Sequence, residues 1–259
     1  MREITSVQNA LVKKIAELKL KKFRQETGTF YLEGKRAVEE ALHADWEIEK
    51  LFFTAPYKKI WEQWGGDDFD SYQVTDSVMA KMSSTDNPQG LGAVVKIKKQ
   101  PSLMDLSFKQ GMVLVLDGVK DPGNVGTIIR TADAAGAKAV LLLDETAELF
   151  NPKVVRATMG SLFHLPVFTD VRLEDILVWC AAKELPLWAT ALEGSEDLFK
   201  TQWPAKLVLI MGSEAQGVSP AVLAKADKKV RLPMAGEAES LNVAVAAGIC
   251  LYSFLTAGK

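Results

Sequence analysis

The sequence predicts an α/β protein in which a small α/β domain precedes a mostly parallel sheet with helices on both faces. Two patterns predict this fold class. Residues 28–98 alternate short strand-like and helical segments, whereas residues 112–259 contain continuous apolar runs such as "MVLVLDGV", "AVLLLD", "PLWATAL" and "KLVLIMGSE". Strands buried on both faces give such runs, and helices must then cover each side of the sheet. A chain of 259 residues is long enough to bury a core in one large domain or in two smaller ones.

The composition argues against several classes of protein. No apolar run approaches the roughly 20 residues of a membrane span, and the N-terminus lacks the apolar core of a signal peptide. Cys180 and Cys250 are far apart, and His43 and His164 are the only histidines. The sequence therefore has too few cysteines and histidines to favour a disulfide framework, a metal site or a Ser-His-Asp triad. We expect a cytoplasmic protein without a metal or a membrane partner. The net charge of -2 does not by itself indicate a nucleic-acid partner.

Residues 1–27 form a basic segment that we expect to be helical. Four apolar residues repeat at helical spacing from Val7 to Leu18, and Thr5 or Ser6 would cap the start. The basic side chains of this segment are Arg2, Lys13, Lys14, Lys19, Lys21, Lys22 and Arg24. These basic side chains would form the outer face of the helix. That face is either simply solvated or in contact with RNA phosphates, and the pattern alone leaves both possibilities open.

Residues 28–98 have the size and the alternation of a small α/β domain. Its expected strands and helices are, in order, "TFYLEG", "KRAVEEALHA", "IEKLFFT", "YKKIWEQWG", "YQVT", a short helix capped by Asp76, and "GLGAVVKI". A polar, Lys-rich stretch with a proline follows, which predicts a linker over residues 99–111.

Helices are expected between the apolar strands of residues 112–259. Their expected ranges are 124–135, 152–160, 173–184, 219–226 and 241–255. The last of them is apolar nearly all round, and it contains Ala244, Ala246, Ala247 and Gly248, which allow another backbone to approach closely. Such a helix must be buried, either in the core or in a subunit interface.

Three Gly-containing polar loops follow apolar runs, at the strand ends where open α/β sheets bind ligands. They are "DPGNVGTIIRT" (121–131), "LIMGSEAQGVSP" (209–220) and "VRLPMAGEAESLNVAVA" (230–246). The first is not a P-loop, because no Gly-Lys-Ser/Thr follows, and the spacing of Gly123 and Gly126 does not fit the opening Gly-x-Gly of a dinucleotide fingerprint. One such loop is usually just a turn, but three in one sheet indicate a binding site.

The three loops, in this order and near the C-terminus, resemble the signature motifs of the SpoU (TrmH-type) family, which belongs to the SPOUT superfamily of RNA methyltransferases. The stretches "FYLEGKRAVEEAL" and "NPQGLGAVV" resemble the start and end of the small substrate-binding domain of larger members. The resemblance implies a methyltransferase domain over residues 112–259 with a deep trefoil knot, S-adenosylmethionine as cofactor, and methyl transfer to a ribose 2′-hydroxyl of RNA.

The resemblance also implies which residues form the site. Gly212, Leu232 and Leu241 match positions whose backbone holds the cofactor. The residues that match the family's polar site positions are Asn124, Arg130, Glu214, Ser240 and Asn242. Arg130 either helps to activate the 2′-hydroxyl or grips a phosphate in a bidentate fork, and Glu214 would orient Arg130 or Asn124. Ser240 and Asn242 would begin the last helix, whose N-terminus favours an anion, although Ser240 alone would be a plain cap.

The expected partners are RNA and a second copy of the chain. Ribosomal RNA is favoured over tRNA, because a separate RNA-grasping domain suits a large structured substrate, and the last helix is the expected dimer contact. The basic residues expected to contact RNA are Lys21, Lys22, Arg24, Lys35 and Arg36. A non-catalytic RNA-binding protein with the same fold is the alternative, disfavoured because all five polar positions are filled. A nicotinamide oxidoreductase is more distant, because the fingerprint is missing.

Overall fold

The computed structural model describes residues 1–257, and these form two compact units. The first unit comprises Met1–Lys99 together with Phe150–Phe163. The second begins with Gln100–Leu149 and continues from His164. The α/β fold class predicted from the sequence is confirmed.

The first unit is built on a five-stranded mixed sheet in the order β1-β4-β3-β5-β2. Its strands are β1 (Arg2–Ile4), β2 (Thr29–Glu33), β3 (Ile48–Phe53), β4 (Ser71–Val74) and β5 (Leu91–Lys96). Its helices up to residue 99 are α1 (Ala10–Glu17), α2 (Lys21–Thr27), α3 (Lys35–His43), α4 (Lys58–Gln63) and α5 (Asp76–Met82). Strands β1, β4 and β3 are parallel, and β5 runs antiparallel to both β3 and β2.

The N-terminal segment differs from the single helix predicted for it. Residues Arg2–Ile4 pair with β4, and two short helices replace the long one. The cap of α1 is Asn9, whose side chain accepts a hydrogen bond from the backbone N–H of Leu11. Where the helix breaks, the guanidinium of Arg24 donates to the carbonyl oxygen of Leu18 at 2.7 Å, so a side chain satisfies a backbone group freed by the break. The spacing of apolar residues does not predict a helix end that is stabilised by such a side-chain hydrogen bond.

The second unit contains a seven-stranded sheet in which every pairing is parallel. Its strands are β6 (Gly111–Asp117), β7 (Ala139–Leu143), β8 (Val167–Val171), β9 (Leu187–Thr190), β10 (Glu196–Asp197), β11 (Lys206–Gly212) and β12 (Lys228–Arg231). Their order across the sheet is β10-β12-β9-β11-β6-β7-β8. Its helices are α6 (Pro122–Ala134), α8 (Leu173–Lys183), α9 (Pro220–Leu223) and α10 (Val243–Ala257), whereas α7 (Pro152–Ala157) belongs to the first unit.

The two central strands of this sheet determine where the site lies. Each residue from Lys206 to Gly212 is paired with its counterpart from Gly111 to Asp117, so β6 and β11 end at the same level. Both strands are buried from Met112 to Leu116 and from Leu207 to Gly212, as their continuous apolar sequences predict. The loops that follow them therefore begin side by side at the carboxyl edge of the sheet.

The compact units differ from the predicted domain bounds in two ways. The segment Phe150–Phe163, which includes α7 (Pro152–Ala157), belongs to the first unit, where Phe150 lies 4.9 Å from Phe30 between ring centroids. The predicted linker includes a short 3-10 turn at Leu103–Asp105, and Trp179 Nε1 donates to the Leu106 carbonyl at 3.0 Å. Most of this stretch is therefore packed onto the second unit. Within residues 1–257, no helix is long and apolar enough to cross a membrane.

Candidate active site

The first loop of the site is the tight connection between β6 and α6. Asp121 caps α6, because its side chain accepts a hydrogen bond from the backbone N–H of Asn124 at 2.9 Å, and Pro122 occupies the first turn. Asp121 stands where the family motif often has Asn, and it can accept this bond equally well. The cap fixes the start of α6 and places Asn124, half-buried, at the carboxyl edge of the sheet.

Asn124 is the centre of a polar chain that joins all three loops. Its Nδ2 donates to the carboxylate of Glu214 in the loop after β11. Its Oδ1 accepts a hydrogen bond from Nδ2 of Asn242 at 3.0 Å. The Oδ1 of Asn242 in turn accepts from the backbone N–H groups of Ala244 and Val245, at 2.9 and 3.3 Å. Three of the five predicted polar residues are thus brought together, and the cap of α10 orients them.

The loop after β11 folds back on itself over Gly212. Ser213 and Gly217 exchange two backbone hydrogen bonds, of 3.1 and 2.9 Å. A Cβ at Gly212 would lie 1.9 Å from the carbonyl carbon of Gly217 and 2.0 Å from the nitrogen of Val218. Only glycine fits there, because the obstacle is backbone. The group that approaches Gly212 closely is the chain's own loop.

Asp117 is a site residue that the sequence analysis missed. It ends β6, and its Oδ2 accepts a hydrogen bond from the backbone N–H of Ser219 at 2.8 Å. This bond ties the end of the second loop to the start of the first. The signal for it was a carboxylate at the end of the apolar run "MVLVLD", where a polar residue seldom stands without a partner.

The third loop, between β12 and α10, has the features that an adenosine-like ligand requires. Within the described chain, the backbone N–H groups from Leu232 to Leu241 make no hydrogen bond to protein atoms. Leu241 is 38% exposed although it is apolar, and Leu232 is half-buried. Free backbone donors and acceptors beside apolar side chains suit the edge and face of a purine, so these residues fit S-adenosylmethionine.

Arg130 and Ser240 lie outside the polar chain. Arg130 is exposed, and within residues 1–257 its side chain forms no hydrogen bond or ion pair. It follows Asn124 by six residues, which corresponds to about 9 Å along α6. Ser240 is also exposed, and Asn242 rather than Ser240 caps α10. Any role for these two residues therefore depends on a bound partner.

The predicted RNA-contacting residues belong to the first unit, and four of the five are exposed. Lys22 pairs with Glu26 at 3.8 Å and Lys35 with Glu39 at 3.6 Å, both within one helix, whereas Lys21 has no ion pair in the described chain. Such long surface pairs contribute little energy and leave the charge available.

The prediction that Arg24 contacts RNA is wrong. Arg24 is only 2% exposed, because its guanidinium is turned inward onto the carbonyl of Leu18. Its position in a run of basic residues concealed a structural role.

Within residues 1–257, no group of three or more His, Cys, Asp or Glu side chains is arranged to hold a metal ion. The two cysteines are buried, and burial raises the pKa of Cys180 and of Cys250 to about 12. Neither thiol is suited to nucleophilic chemistry.

Comparisons with known proteins agree with the geometry of both units. Residues 111–252 match the model of the SpoU rRNA Methylase family, and residues 9–93 match the model of an MRM3-like substrate binding domain. The chain is 36% identical over 252 residues to the 23S rRNA (guanosine(2553)-2′-O)-methyltransferase RlmP of Bacillus subtilis, a match that covers 97% of this chain and 98% of that protein.

Two solved structures share the fold over nearly the whole chain. The AdoMet-bound rRNA methyltransferase from Sinorhizobium meliloti superimposes with a TM-score of 0.89 at 36% identity, covering 98% of this chain and 97% of that one. The SpoU methyltransferase AviRb from Streptomyces viridochromogenes, solved with AdoMet, gives a TM-score of 0.87 at 27% identity over 96% and 98%.

The fold, the three-loop site and these matches define an RNA methyltransferase that uses S-adenosylmethionine and acts on a ribose 2′-hydroxyl. Within this class, the chain belongs to the SpoU family. The family, the cofactor and the type of reaction predicted from the sequence are confirmed.

Proposed function

We propose that this chain methylates one ribose 2′-hydroxyl of 23S ribosomal RNA, and that the nucleotide is a guanosine. The observation that carries the proposal is the chain of hydrogen bonds from Asn242 through Asn124 to Glu214 at the aligned ends of β6 and β11. Two relatives support the choice of RNA and of base: RlmP of Bacillus subtilis, and the 23S rRNA (guanosine-2′-O-)-methyltransferase RlmB of Pseudomonas syringae, which is 37% identical over 153 residues. A tRNA substrate is the second candidate, because a structure for C/U34 methylation on tRNA shares the fold over 58% of this chain.

The cofactor residues are Gly212, Leu232 and Leu241. The compact loop over Gly212 and the free backbone groups of the third loop support their assignment. When bound, S-adenosylmethionine supplies a methyl group on a sulfonium cation, which needs little activation. The task of the protein is then to aim a ribose oxygen at that methyl group and to stabilise the charge as the proton leaves.

Arg130 holds the phosphate next to the target ribose in this proposal. A guanidinium is always protonated and cannot act as a base, but its planar N–H groups suit a phosphate or a developing alkoxide. Its exposure and its lack of a partner in the described chain agree with a group that waits for RNA. The phosphate or a water molecule then takes the proton. Ser240, exposed beside the start of α10, is a further contact for substrate.

The active form is a homodimer in this proposal. One face of α10 packs into the second unit through the buried residues Val243, Ala247 and Cys250. Another face of the helix exposes Val245, Tyr252 and Leu255 to solvent in the single chain. An apolar stripe on a helix that is otherwise core favours a second copy as its cover. An arginine of the second copy would then help to hold the RNA at the site.

Four further expectations belong to the proposal. The knot implied by the family resemblance stays a prediction, as does the division of labour between an RNA-binding domain at 28–98 and a methyltransferase domain at 112–259. The basic residues Lys21, Lys22, Lys35 and Arg36 contact RNA. We expect the protein in the cytoplasm, together with its ribosomal RNA.

Cofactor titration and a transfer assay test the proposal together. Calorimetry with S-adenosylhomocysteine should show binding, whereas NAD should show none. Radiolabelled S-adenosylmethionine should then transfer label to unmodified 23S rRNA, and nuclease digestion should find it on a 2′-O-methylguanosine. Cofactor and RNA binding without transfer would favour the non-catalytic RNA-binding protein. Label only in tRNA would overturn the choice of RNA.

A further inference from the structure

We propose that a cavity within the first compact unit binds a single unstacked nucleotide of the RNA, with its phosphate on Arg36 and Arg156 and its base on an apolar floor. This inference rests on the proposed action on RNA. The cavity of about 180 Å3 lies between the start of α3 and the segment that carries α7. It is smaller than the roughly 300–1,000 Å3 of pockets for drug-sized ligands, so it suits one ring system rather than a longer segment.

Two arginines at the rim retain donors for a phosphate. Arg36 is 70% exposed, and its only ion pair in the described chain is a long one to Glu40, at 3.9 Å. Arg156 is half-buried, and one of its terminal nitrogens donates to the hydroxyl of Ser84. A guanidinium carries five N–H donors, so both arginines keep free donors, while Ser84 fixes the direction of Arg156. A pair of partly oriented guanidinium groups is what phosphate recognition uses.

Three cationic side chains, those of Lys19, Arg36 and Arg156, line the cavity together with a single carboxylate. Lys19 donates to the carbonyl of Lys81 at 3.1 Å. Burial and the positive charge of Lys81 lower the pKa of Lys19, and the negative charge of Glu33 offsets part of this shift. The one carboxylate in the lining, Glu33, accepts hydrogen bonds from Ser83 and from the backbone of Gln89, at 2.6 and 3.1 Å. Glu33 therefore holds the neighbouring loop, and an anion from outside would relieve the crowding of the cations.

The floor of the cavity offers an apolar surface and one amide. Leu32, Met82 and Val155 are buried beneath it. Met159 stands at its edge with a positive φ of 51°, and it remains 45% exposed although it is apolar. Unstacked bases of RNA are bound by such a combination of apolar contact and hydrogen-bonding edges.

The amide is that of Gln89, which lies over Gly34. A Cβ at Gly34 would be 2.6 Å from its Oε1, and the φ of 102° at Gly34 also favours glycine. Glycine at this position therefore makes room for an amide that can read the edge of a base.

Two kinds of variant of the full-length protein distinguish the contribution of the arginine charges to RNA binding from that of the cavity volume. Arg36→Gln with Arg156→Gln removes the phosphate contact, and Lys58→Gln with Lys59→Gln is the control, since it removes two exposed charges of the same unit that do not line the cavity. Ala37→Leu, on α3, fills the cavity without changing charge. The measurements are kcat, KM for 23S rRNA at several salt concentrations, affinity for S-adenosylhomocysteine, and Tm.

The arginine pair should raise KM about tenfold, which corresponds to the removal of one charged hydrogen-bonding partner. It should also reduce the log–log salt slope by about 0.7, with kcat and cofactor affinity retained. Ala37→Leu should raise KM several-fold with an unchanged slope. If the double arginine variant lowers Tm, the single variant Arg36→Gln replaces it in the KM and salt measurements. The Arg36 side chain is exposed, so its replacement should not affect folding.

Two results would overturn the inference. One is a KM for the arginine variant that equals that of the lysine control. The other is a raised KM for the arginine variant together with an unchanged KM for Ala37→Leu. That result would mean that the arginines contact a phosphate at the surface and that no nucleotide enters the cavity. A wild-type protein that transfers no methyl group to any RNA would instead overturn the proposed function.

Discussion

The two sheets of this protein differ in strand direction, and that difference determines whether polar loops meet at one edge of the sheet. In the second unit all seven strands are parallel, so the loops after β6, β11 and β12 leave from one edge and meet. In the first unit β5 runs against its neighbours, and no comparable set of loops converges. The basic residues of the first unit that we propose to contact RNA lie on helices and around a cavity instead. The carboxyl ends of parallel strands lie at one edge of a sheet, which is why the polar loops of the second unit come together.

The two regions also differ in how their charged residues are held. The polar chain of the second unit is fixed by a helix cap and leaves little freedom to Asn124 and Asn242. The exposed lysines of α2 and α3 have only long pairs within one helix. We therefore expect changes in the second unit to affect kcat or folding, and changes in the first to affect RNA affinity. Four substitutions test this expectation, from the largest effect to the smallest.

Arg130→Ala should reduce methyl transfer about 1,000-fold, which is about 4 kcal/mol of transition-state stabilisation. The reason is that the proposed partner of Arg130 is the RNA, so its removal should leave S-adenosylhomocysteine affinity unchanged. Single-turnover transfer and calorimetry measure the two quantities. Arg130→Lys should also fail, because a point charge cannot replace the planar fork. Collapse of cofactor binding in a folded variant would instead make Arg130 a cofactor residue.

Gly212→Ala should lower the free energy of unfolding by about 3 kcal/mol and abolish cofactor binding. The added methyl group would meet the backbone of Gly217 at 1.9 Å, and the loop must open to accept it. Urea denaturation measures the effect. Gly236→Ala is the matched control, because a Cβ there meets nothing within 4 Å, and it should be neutral. An unchanged midpoint for Gly212→Ala would show that the loop is free to move.

Asn242→Ala should cost about 1 kcal/mol of stability, since it removes the cap of α10. Asn242→Asp separates this effect from catalysis. Aspartate keeps the acceptor for Ala244 and Val245 but cannot donate to Asn124, so stability should be retained while kcat falls. Thermal melts and transfer rates give both values. Full activity of Asn242→Asp would remove the polar chain from the mechanism.

Lys21→Gln combined with Lys22→Gln should have the smallest effect, confined to RNA binding. For every phosphate that these lysines neutralise in the wild type, the log–log salt slope should fall by roughly 0.7–0.9, with no change in kcat or cofactor affinity. RNA affinity at several salt concentrations provides the slope. The solvated-face alternative predicts identical slopes for the variant and the wild type.

The sequence was most informative where one local rule determined the structure. Continuous apolar runs predicted the strands of the second unit, and Gly and polar residues after them predicted the three loops. Arg24 was misassigned because its neighbours are exposed lysines and its inward turn depends on the break at Leu18. The strand Arg2–Ile4 was missed because it is short and needs β4 as its partner. The placement of Phe150–Phe163 was missed because it depends on contacts with residues far away in the sequence.

The polar residues of the site were predicted more completely than the hydrogen bonds that hold their loops in place. The family resemblance indicated Asn124, Glu214 and Asn242, and the structure joins them. It did not indicate Asp117, whose bond to Ser219 connects residues about a hundred positions apart. Such bonds depend on strand register, which becomes visible only when β6 and β11 are seen side by side.

The central claim is that the second unit of this chain methylates one ribose in ribosomal RNA. The most direct test maps 2′-O-methylation across all RNA from cells that carry the wild-type chain, lack it, or carry only Arg130→Ala at matched protein levels. A single guanosine of 23S rRNA should be methylated in the first cells and unmethylated in the other two. Three identical maps, or a methyl group that persists with Arg130→Ala, would contradict it.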